Sequence, residues 1–267
     1  MAERTNRKGS PRNALRVYRY RGTISIMSIV PDFAVYACDV GSTFQNRFAW
    51  ARIASSEPEQ IEVCSDITVL ARSIKDDFRA RRSVALGFES PLFLPVPKSV
   101  KDLCHERQGE GNRSCFASTG AYVATLGLHE AAWILREIHT HGIGFTVARK
   151  DWPPRGTDPI LFCWEAFVSG KAKARCKLHP RERSPRCDQC KRADQHDAAT
   201  AVRAFATGAL ECAVTSESRI SLIGAAAIWS KWIDPLAAIA ALTDPVLVIK
   251  PALPAPVGSF APVRGHE

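Results

Sequence analysis

Residues 33–43 read FAVYACDVGST, an apolar run that ends at Asp39 and is followed by Gly-Ser-Thr. A short apolar run closed by small turn residues predicts a buried β-strand that ends at the acidic residue. A second run at 44–53 places its aromatic residues on one face with a period of two, and 61–64 forms a third run. The short links between these runs predict three consecutive antiparallel strands.

The hydrophobic period changes after the third strand. Apolar residues recur at helical spacing from Ile67 to Phe78, which predicts an amphipathic helix. The next run, SVALGFE at 83–89, is apolar until its last residue, as is typical of a central strand in a parallel pair. A right-handed crossover through the helix then puts the first and fourth strands side by side.

Further along, the pattern predicts a long loop, three helices and more strands. These are the loop at 95–118, helices at 119–138, 195–212 and 219–229, a fifth strand PILFCWE at 159–165 and a strand-like run at 245–251. The expected fold is therefore an α/β domain over residues 31–252, with a mixed five-stranded sheet flanked by helices. Its first three strands are antiparallel and the next two are parallel, and a small Cys/His insertion interrupts it at 170–193.

Four acidic residues stand where these elements end or begin. Asp39, Glu89 and Glu165 close the first, fourth and fifth strands, and Asp197 opens the alanine-rich helical stretch HDAATAVRAF at 196–205. Because open α/β sheets gather their functional groups at the carboxyl ends of the strands, we expect these acids to meet at one edge. Carboxylates held together repel one another unless a divalent cation lies between them. The pattern therefore predicts a magnesium or manganese site.

Each acid also has an ordinary structural interpretation. Asp39, just before Gly41, is a common turn residue, and Glu89 before Ser-Pro is a typical solvated strand end. Asp194 and Asp197 have the spacing of a helix N-cap and a first-turn acid. These interpretations stay open for each residue taken alone, and the gathering of all four at one edge favours the metal site.

The same residues give the chain a family resemblance. DVGS at 39–42, ESPL at 89–92, the acid that ends the fifth strand and DAATA at 197–201 resemble motifs of the RNase H-like superfamily. Within it, the chain is most similar to a group of predicted nucleases, the domain of unknown function 429 family, over about residues 33–250. The resemblance implies an RNase H-like fold and metal-dependent hydrolysis of phosphodiester bonds in DNA or RNA.

The resemblance also implies roles for the acids. In RNase H-like nucleases, acids on strand one, strand four and the last helix hold two divalent ions, Mg²⁺ or Mn²⁺, which here implies Asp39, Glu89 and Asp197. Glu165 corresponds to a further catalytic acid whose place varies among these nucleases. Many members of the predicted group have Asp where this chain has Glu89. The two ions would clamp the scissile phosphate between the attacking water and the leaving oxygen.

Basic residues and a histidine near these acids are candidates for substrate contact. Lys171, Lys173 and Arg175 can contact phosphates of a nucleic acid, or they belong to a solvated basic loop. His196 can orient water or relay a proton beside Asp197, or it is a polar residue in the first turn of the helix. Both alternatives stay open from the sequence.

The insertion at 170–193 carries four potential metal ligands. Cys176-x2-His179 is followed by Cys187-x2-Cys190, and a spacing of two lets one tight turn supply two ligands of a tetrahedral zinc site. A structural zinc ion would hold together a basic loop that has few apolar residues to bury. The alternative is a flexible loop with three surface cysteines.

Length and composition limit the possible classes of protein and indicate the ends of the folded domain. The chain has 267 residues and a net charge of +9, and its first 26 residues hold seven basic residues against Glu3 alone. We expect residues 1–30 to form a basic disordered tail, or Met27 to mark the true start, and 253–267 to form a Pro-rich disordered end. No apolar run is long enough to span a membrane, and nine scattered cysteines are typical of a reduced, cytoplasmic protein.

Three functions fit these patterns. The first is a metal-dependent nuclease with nucleic acid as its partner, and the second is a non-catalytic RNase H-like scaffold with a zinc loop that binds nucleic acid or protein. The third is an actin-like ATP-binding enzyme, because DVGST at 39–43 is similar to the phosphate-binding turn of actin-like sugar kinases. That enzyme class requires a second lobe and a glycine-rich adenosine motif, for which 267 residues leave little room.

Overall fold

A computed structural model describes residues 32–111, 114–154, 156–179, 184, 187–207 and 212–254, together with the backbone of 19–20, 23–24 and 260–262. The chain divides into two units, Met1–Val30 and Pro31–Glu267. In the first unit, the described residues form an antiparallel pair, β1 (Arg19–Tyr20) and β2 (Thr23–Ile24). The remainder of the expected basic tail, with Met27, lies outside the described residues.

Within the described residues, the main sheet has eight strands. They are β3 (Phe33–Asp39), β4 (Ala49–Ala54), β5 (Ile61–Cys64), β6 (Ser83–Phe88), β8 (Gly144–Thr146), β9 (Ile160–Ala166), β11 (Val248–Ile249) and β12 (Phe260–Pro262). A separate antiparallel pair consists of β7 (Phe93–Pro95) and β10 (Arg219–Ser221).

The order of strands across the main sheet is β11-β9-β6-β3-β4-β5-β12, and β8 pairs with β9. Neighbours among β3, β4 and β5 are antiparallel, whereas β6 is parallel to both β3 and β9. The predicted succession of three antiparallel strands and two parallel strands is confirmed. The predicted number of five is wrong, because the short strands β8, β11 and β12 extend the sheet. Runs of two or three residues are too short to show an alternating pattern.

Helices flank the sheet in the described part of the chain. They are α1 (Ile67–Arg79), α2 (Ser118–Ile138), α3 (Asp188–Thr207), α4 (Leu222–Trp229) and α5 (Ala238–Thr243). Alternate residues of β3 separate two cores: Tyr36 and Cys38 belong to the core that includes α1, α2 and α4, and Val35 and Ala37 belong to the core that includes α3. Since strand side chains alternate between faces, Asp39 shares the α3 face.

Several element boundaries differ from those expected, among them the second strand, expected at 44–53 and found at Ala49–Ala54. The helix predicted at 195–212 begins at Asp188, because its polar first turns carry no apolar periodicity. Asp197 and His196 therefore lie more than two turns inside α3, and the first-turn interpretation of both residues is wrong. The helix predicted at 219–229 begins as β10 and continues as α4. The Pro-rich end, expected to be disordered, contributes β12, which pairs in parallel with β5.

A buried acid in α2 makes stability depend on pH. Glu130 is 5% exposed, and no donor in the described chain reaches its carboxylate oxygens in bonding geometry. Burial raises the pKa of Glu130 from 4.5 to about 8, and the Gly41 amide opposes that rise in part. Folding therefore favours the protonated carboxyl, whose stabilising contribution is complete below pH 4.5 and is lost as the pH rises through about 8.

The substitution Glu130→Gln is expected to stabilise the metal-free protein at pH 8.5 relative to the wild type, because the amide carries no charge to desolvate. The difference should shrink toward pH 5 and amounts to at most about 5 kcal/mol. Denaturant unfolding at both pH values measures it, with Glu137→Gln on the more exposed face of the same helix as the control. An equal stability difference at both pH values would contradict a raised pKa for Glu130.

Candidate functional site

Three of the predicted acids meet at one edge of the sheet. Asp39 ends β3, and Glu89 follows β6, its amide donating to the Cys38 carbonyl at 2.7 Å. Asp197 reaches the same place from α3, and one carboxylate oxygen of each acid lies within 4.8 Å of those of the other two. Oxygens on opposite sides of one Mg²⁺ are about 4.2 Å apart. The three acids therefore lie at a separation comparable to that of ligands of a common cation.

The environment of Asp39 and of Glu89 disfavours their negative charges. Asp39 and Asp197 are buried, at 7% and 0% exposure. Burial raises the pKa of Asp39 well above its usual value, the charge of Glu89 raises it further, and Lys173 opposes both. Burial likewise raises the pKa of Glu89, where Lys173 again opposes it and Asp197 adds to it. Burial and the neighbouring carboxylates thus both raise the pKa of Asp39 and of Glu89.

Lys173 occupies a cation position beside these acids. Its Nζ lies 2.5 Å from Glu89 Oε1 and 3.4 Å from Asp197 Oδ2. Burial alone would lower the pKa of Lys173, but the attraction of Glu89, Asp39 and Asp197 outweighs burial and raises it, so the ammonium stays charged. The next residue, Ala174, donates its amide to Asp197 Oδ1 at 2.7 Å. Lys173 thus forms ion pairs with two of the three acids.

Glu165, expected to join the other acids, belongs to a separate ion pair. Its two oxygens accept hydrogen bonds from Arg107 at 2.7 and 2.9 Å, and Oε2 also accepts from the Leu92 amide. Arg107 in turn contacts Glu110, and all three charged side chains are at most 2% exposed. Glu165 is therefore not among the three gathered acids. The sequence could not reveal this, because Arg107 arrives on a long loop without periodicity.

Only one of the predicted basic residues lies at the acidic site. Lys173 belongs to the acidic cluster, which it forms with Asp39, Glu89 and Asp197. Lys171 and Arg175 are exposed on the same loop. His196 is half-buried in α3, and its carbonyl accepts a hydrogen bond from Thr200 Oγ1. The solvated-loop interpretation thus fits two of the three basic residues and not Lys173.

An ion pair beside the cluster was not anticipated from the sequence. Arg47, in the link between β3 and β4, donates to both carboxylate oxygens of Asp194, at 2.9 and 3.1 Å. Asp194 lies in α3 one turn before Asp197, so its interpretation as a helix N-cap is wrong. The pair ties the link that follows Asp39 to the helix that carries Asp197. A separation of 147 residues leaves no sequence signal for such a pair.

The cysteine and histidine ligands of the insertion also converge. Cys176 Sγ lies 3.8 Å from both Cys187 Sγ and His179 Nδ1, and Cys190 Sγ lies 3.7 Å from His179 Nδ1. Two sulfurs of a tetrahedral zinc site are about 3.8 Å apart, and a sulfur and a nitrogen about 3.6 Å. A disulfide would require about 2.05 Å. The cluster can therefore hold a zinc-like ion.

The surroundings of this cluster are those of a closed site. Cys176, Cys187 and Cys190 are 3%, 9% and 0% exposed, so the interpretation as surface cysteines is wrong. The Ser184 amide donates to Cys190 Sγ at 3.2 Å. Burial raises the pKa of Cys176, but contacts with Cys190 and with the amides of His179 and Leu178 outweigh it and lower the pKa.

A cavity of about 420 Å³ lies against the acidic cluster. Glu89 and Lys173 line it, together with residues at the start of α2 and residues that follow β9. Its size is in the range of small-molecule sites, about 300 to 1,000 Å³. A group bound in the cavity would therefore touch two residues of the acidic cluster.

Comparison of the chain with protein-family models, with curated proteins and with solved structures found no match. Among the described residues, no helix is both long enough and apolar enough to cross a membrane.

Proposed function

We propose that the chain is a divalent-metal-dependent nuclease with an RNase H-like fold that hydrolyses phosphodiester bonds of DNA or RNA. The observation that carries the proposal is the meeting of Asp39, Glu89 and Asp197 from β3, the end of β6 and α3. The order of strands, with β6 parallel beside β3, supports the resemblance to the RNase H-like superfamily.

The donor set fits magnesium or manganese. Three carboxylates are hard oxygen ligands, which these ions prefer over nitrogen or sulfur. Glu89 Oε2 is buried, and no donor of the described chain hydrogen-bonds to it, which supports a cation as its partner. Two divalent ions bound there would supply Lewis-acid stabilisation of a phosphate and activation of water.

The side chains of the cluster have separate roles in this proposal. Asp39, Glu89 and Asp197 would hold the ions, and the Ala174 amide orients Asp197. Lys173 neutralises part of the negative charge, and it would compete with a bound divalent cation for Glu89 Oε1. Its charged ammonium also places a positive group where the substrate phosphate approaches.

We propose that the cluster of Cys176, His179, Cys187 and Cys190 binds one structural zinc ion. The four ligands leave no coordination position for a substrate, and their burial is typical of a structural rather than a catalytic site.

The nine free thiols support a reducing, cytoplasmic location.

A non-catalytic scaffold that binds nucleic acid is the second candidate, because Lys173 already pairs with Glu89 where a cation would bind. Incubation with single-stranded, duplex and branched DNA and RNA separates the two candidates. The proposed nuclease cleaves at least one of them with Mn²⁺ or Mg²⁺ and none in the presence of a chelator. Binding without cleavage under all these conditions would favour the scaffold.

A further inference from the structure

The cavity beside the acidic cluster has a lining that suits a neutral group rather than a phosphate. Its lining includes Arg107, Glu110 and Glu165, which together carry one positive and two negative charges. A phosphate placed beside these three residues would therefore face a net negative charge.

Arg107 has no donor left for a bound anion. An arginine side chain has five N–H groups, and Arg107 makes five hydrogen bonds: two to Glu165, two to Glu110 and one to the Phe93 carbonyl. Its side chain is 0% exposed. The guanidinium of Arg107 therefore stabilises the fold and has no N–H group available to bind a phosphate.

The remaining walls combine apolar surface with hydroxyl groups. Pro91, Val123, Phe167 and Val168 contribute apolar atoms, and Ser114 and Thr119 contribute hydroxyls beside the start of α2. Small-molecule sites are typically lined in this way, by apolar side chains and a few polar groups that orient the ligand. Such a lining suits a nucleoside, whose base can contact the apolar surface while its sugar and base edges bond to the hydroxyl groups.

We infer that the cavity binds the nucleoside of a single unpaired nucleotide whose phosphate lies at Glu89 and Lys173. For the phosphate, the inference rests on the proposed nuclease function. A cavity of about 420 Å³ takes one such unit and not a base pair, so a duplex must release a base from its stack before that base can enter. The substrate class is therefore a single-stranded end, a single strand or an extruded nucleotide.

Binding of the four ribonucleosides and four deoxyribonucleosides to the full-length protein without metal tests the cavity directly. Calorimetry or NMR titration is expected to show binding of at least one nucleoside to the wild type. Thr119→Trp should weaken that binding at least tenfold, because Thr119 is exposed and lines the cavity, so that an indole there would occupy part of the space. Ala117→Trp, also on the lining, should act in the same way.

Thr125→Trp is the matched control, since Thr125 is exposed on the same helix and away from the cavity. It should leave nucleoside binding unchanged, and melting curves of all three variants verify folding. Binding of no nucleoside to the wild type, or equal binding to the wild type and to both lining variants, would overturn the inference.

Added Mn²⁺ separates this inference from the proposed function. A nucleoside 5′-monophosphate should then bind more tightly than its nucleoside, and Asp39→Asn should remove the gain. If the nucleoside binds in the cavity but Mn²⁺ adds nothing, the cavity inference stands and the proposed function fails.

Discussion

Asp39→Asn is expected to lower Mn²⁺-dependent cleavage of nucleic acid by more than about 100-fold. Loss of an outer-shell partner of a metal ligand costs about 10- to 100-fold in metal affinity or activity, and loss of a direct ligand should exceed that. Single-turnover cleavage of the best substrate measures the effect. Asp158→Asn, whose side chain is 87% exposed, is the matched control and should keep wild-type activity.

The same substitution should stabilise the protein in the absence of metal. Folding raises the pKa of Asp39 well above its usual value, so its ionised form destabilises the folded state, increasingly as the pH rises. Asparagine removes that cost, and each kcal/mol gained at pH 8 corresponds to a rise in Tm of about 2 to 4 °C. Loss of activity with loss of stability would instead indicate a structural role for Asp39.

Cys190→Ser is expected to reduce bound zinc from about one equivalent per chain to less than about 0.1. A tetrahedral site that loses one thiolate loses most of its affinity, and the loop it holds has few apolar contacts to replace the metal. Elemental analysis of the purified protein measures zinc. Trypsin cleavage at Lys171 and Arg175 should accelerate in the variant as the loop unfolds.

Loss of zinc should also affect the acidic cluster, because a short stretch of chain joins the two sites. Cys176 lies three residues after Lys173, so release of the loop should also free the Ala174 amide from Asp197, which faster hydrogen exchange at Ala174 would report. Cys104→Ser, which changes an exposed cysteine outside the cluster, should leave zinc content and exchange unchanged. Wild-type protein that binds no zinc when supplied with it would contradict the assignment.

The central part of the sheet could be predicted from the sequence because its strands are long and differ in pattern. A continuous apolar run in β6 indicated a buried parallel strand, and the crossover rule then placed it beside β3. Asp39 and Glu89, at the ends of these two strands, therefore met as expected. Asp197 met them for a different reason than expected, since it lies inside α3 and not in its first turn.

Contacts made by irregular segments could not be predicted. Glu165 ends β9 as expected, but Arg107 from the long loop takes both of its oxygens. Arg47 and Asp194 form an ion pair although 147 residues separate them in the sequence, and no local pattern indicates such a pair. Lys173 was one of three equivalent basic residues in the sequence, and only the path of the loop distinguishes it from Lys171.

Crystals of the wild-type protein soaked in Mn²⁺ and measured for anomalous scattering would test the central claim most directly. We expect manganese between Asp39, Glu89 and Asp197, with Lys173 Nζ displaced from Glu89 Oε1. An acidic cluster free of manganese at millimolar concentration, with the contact between Lys173 and Glu89 intact, would contradict the account.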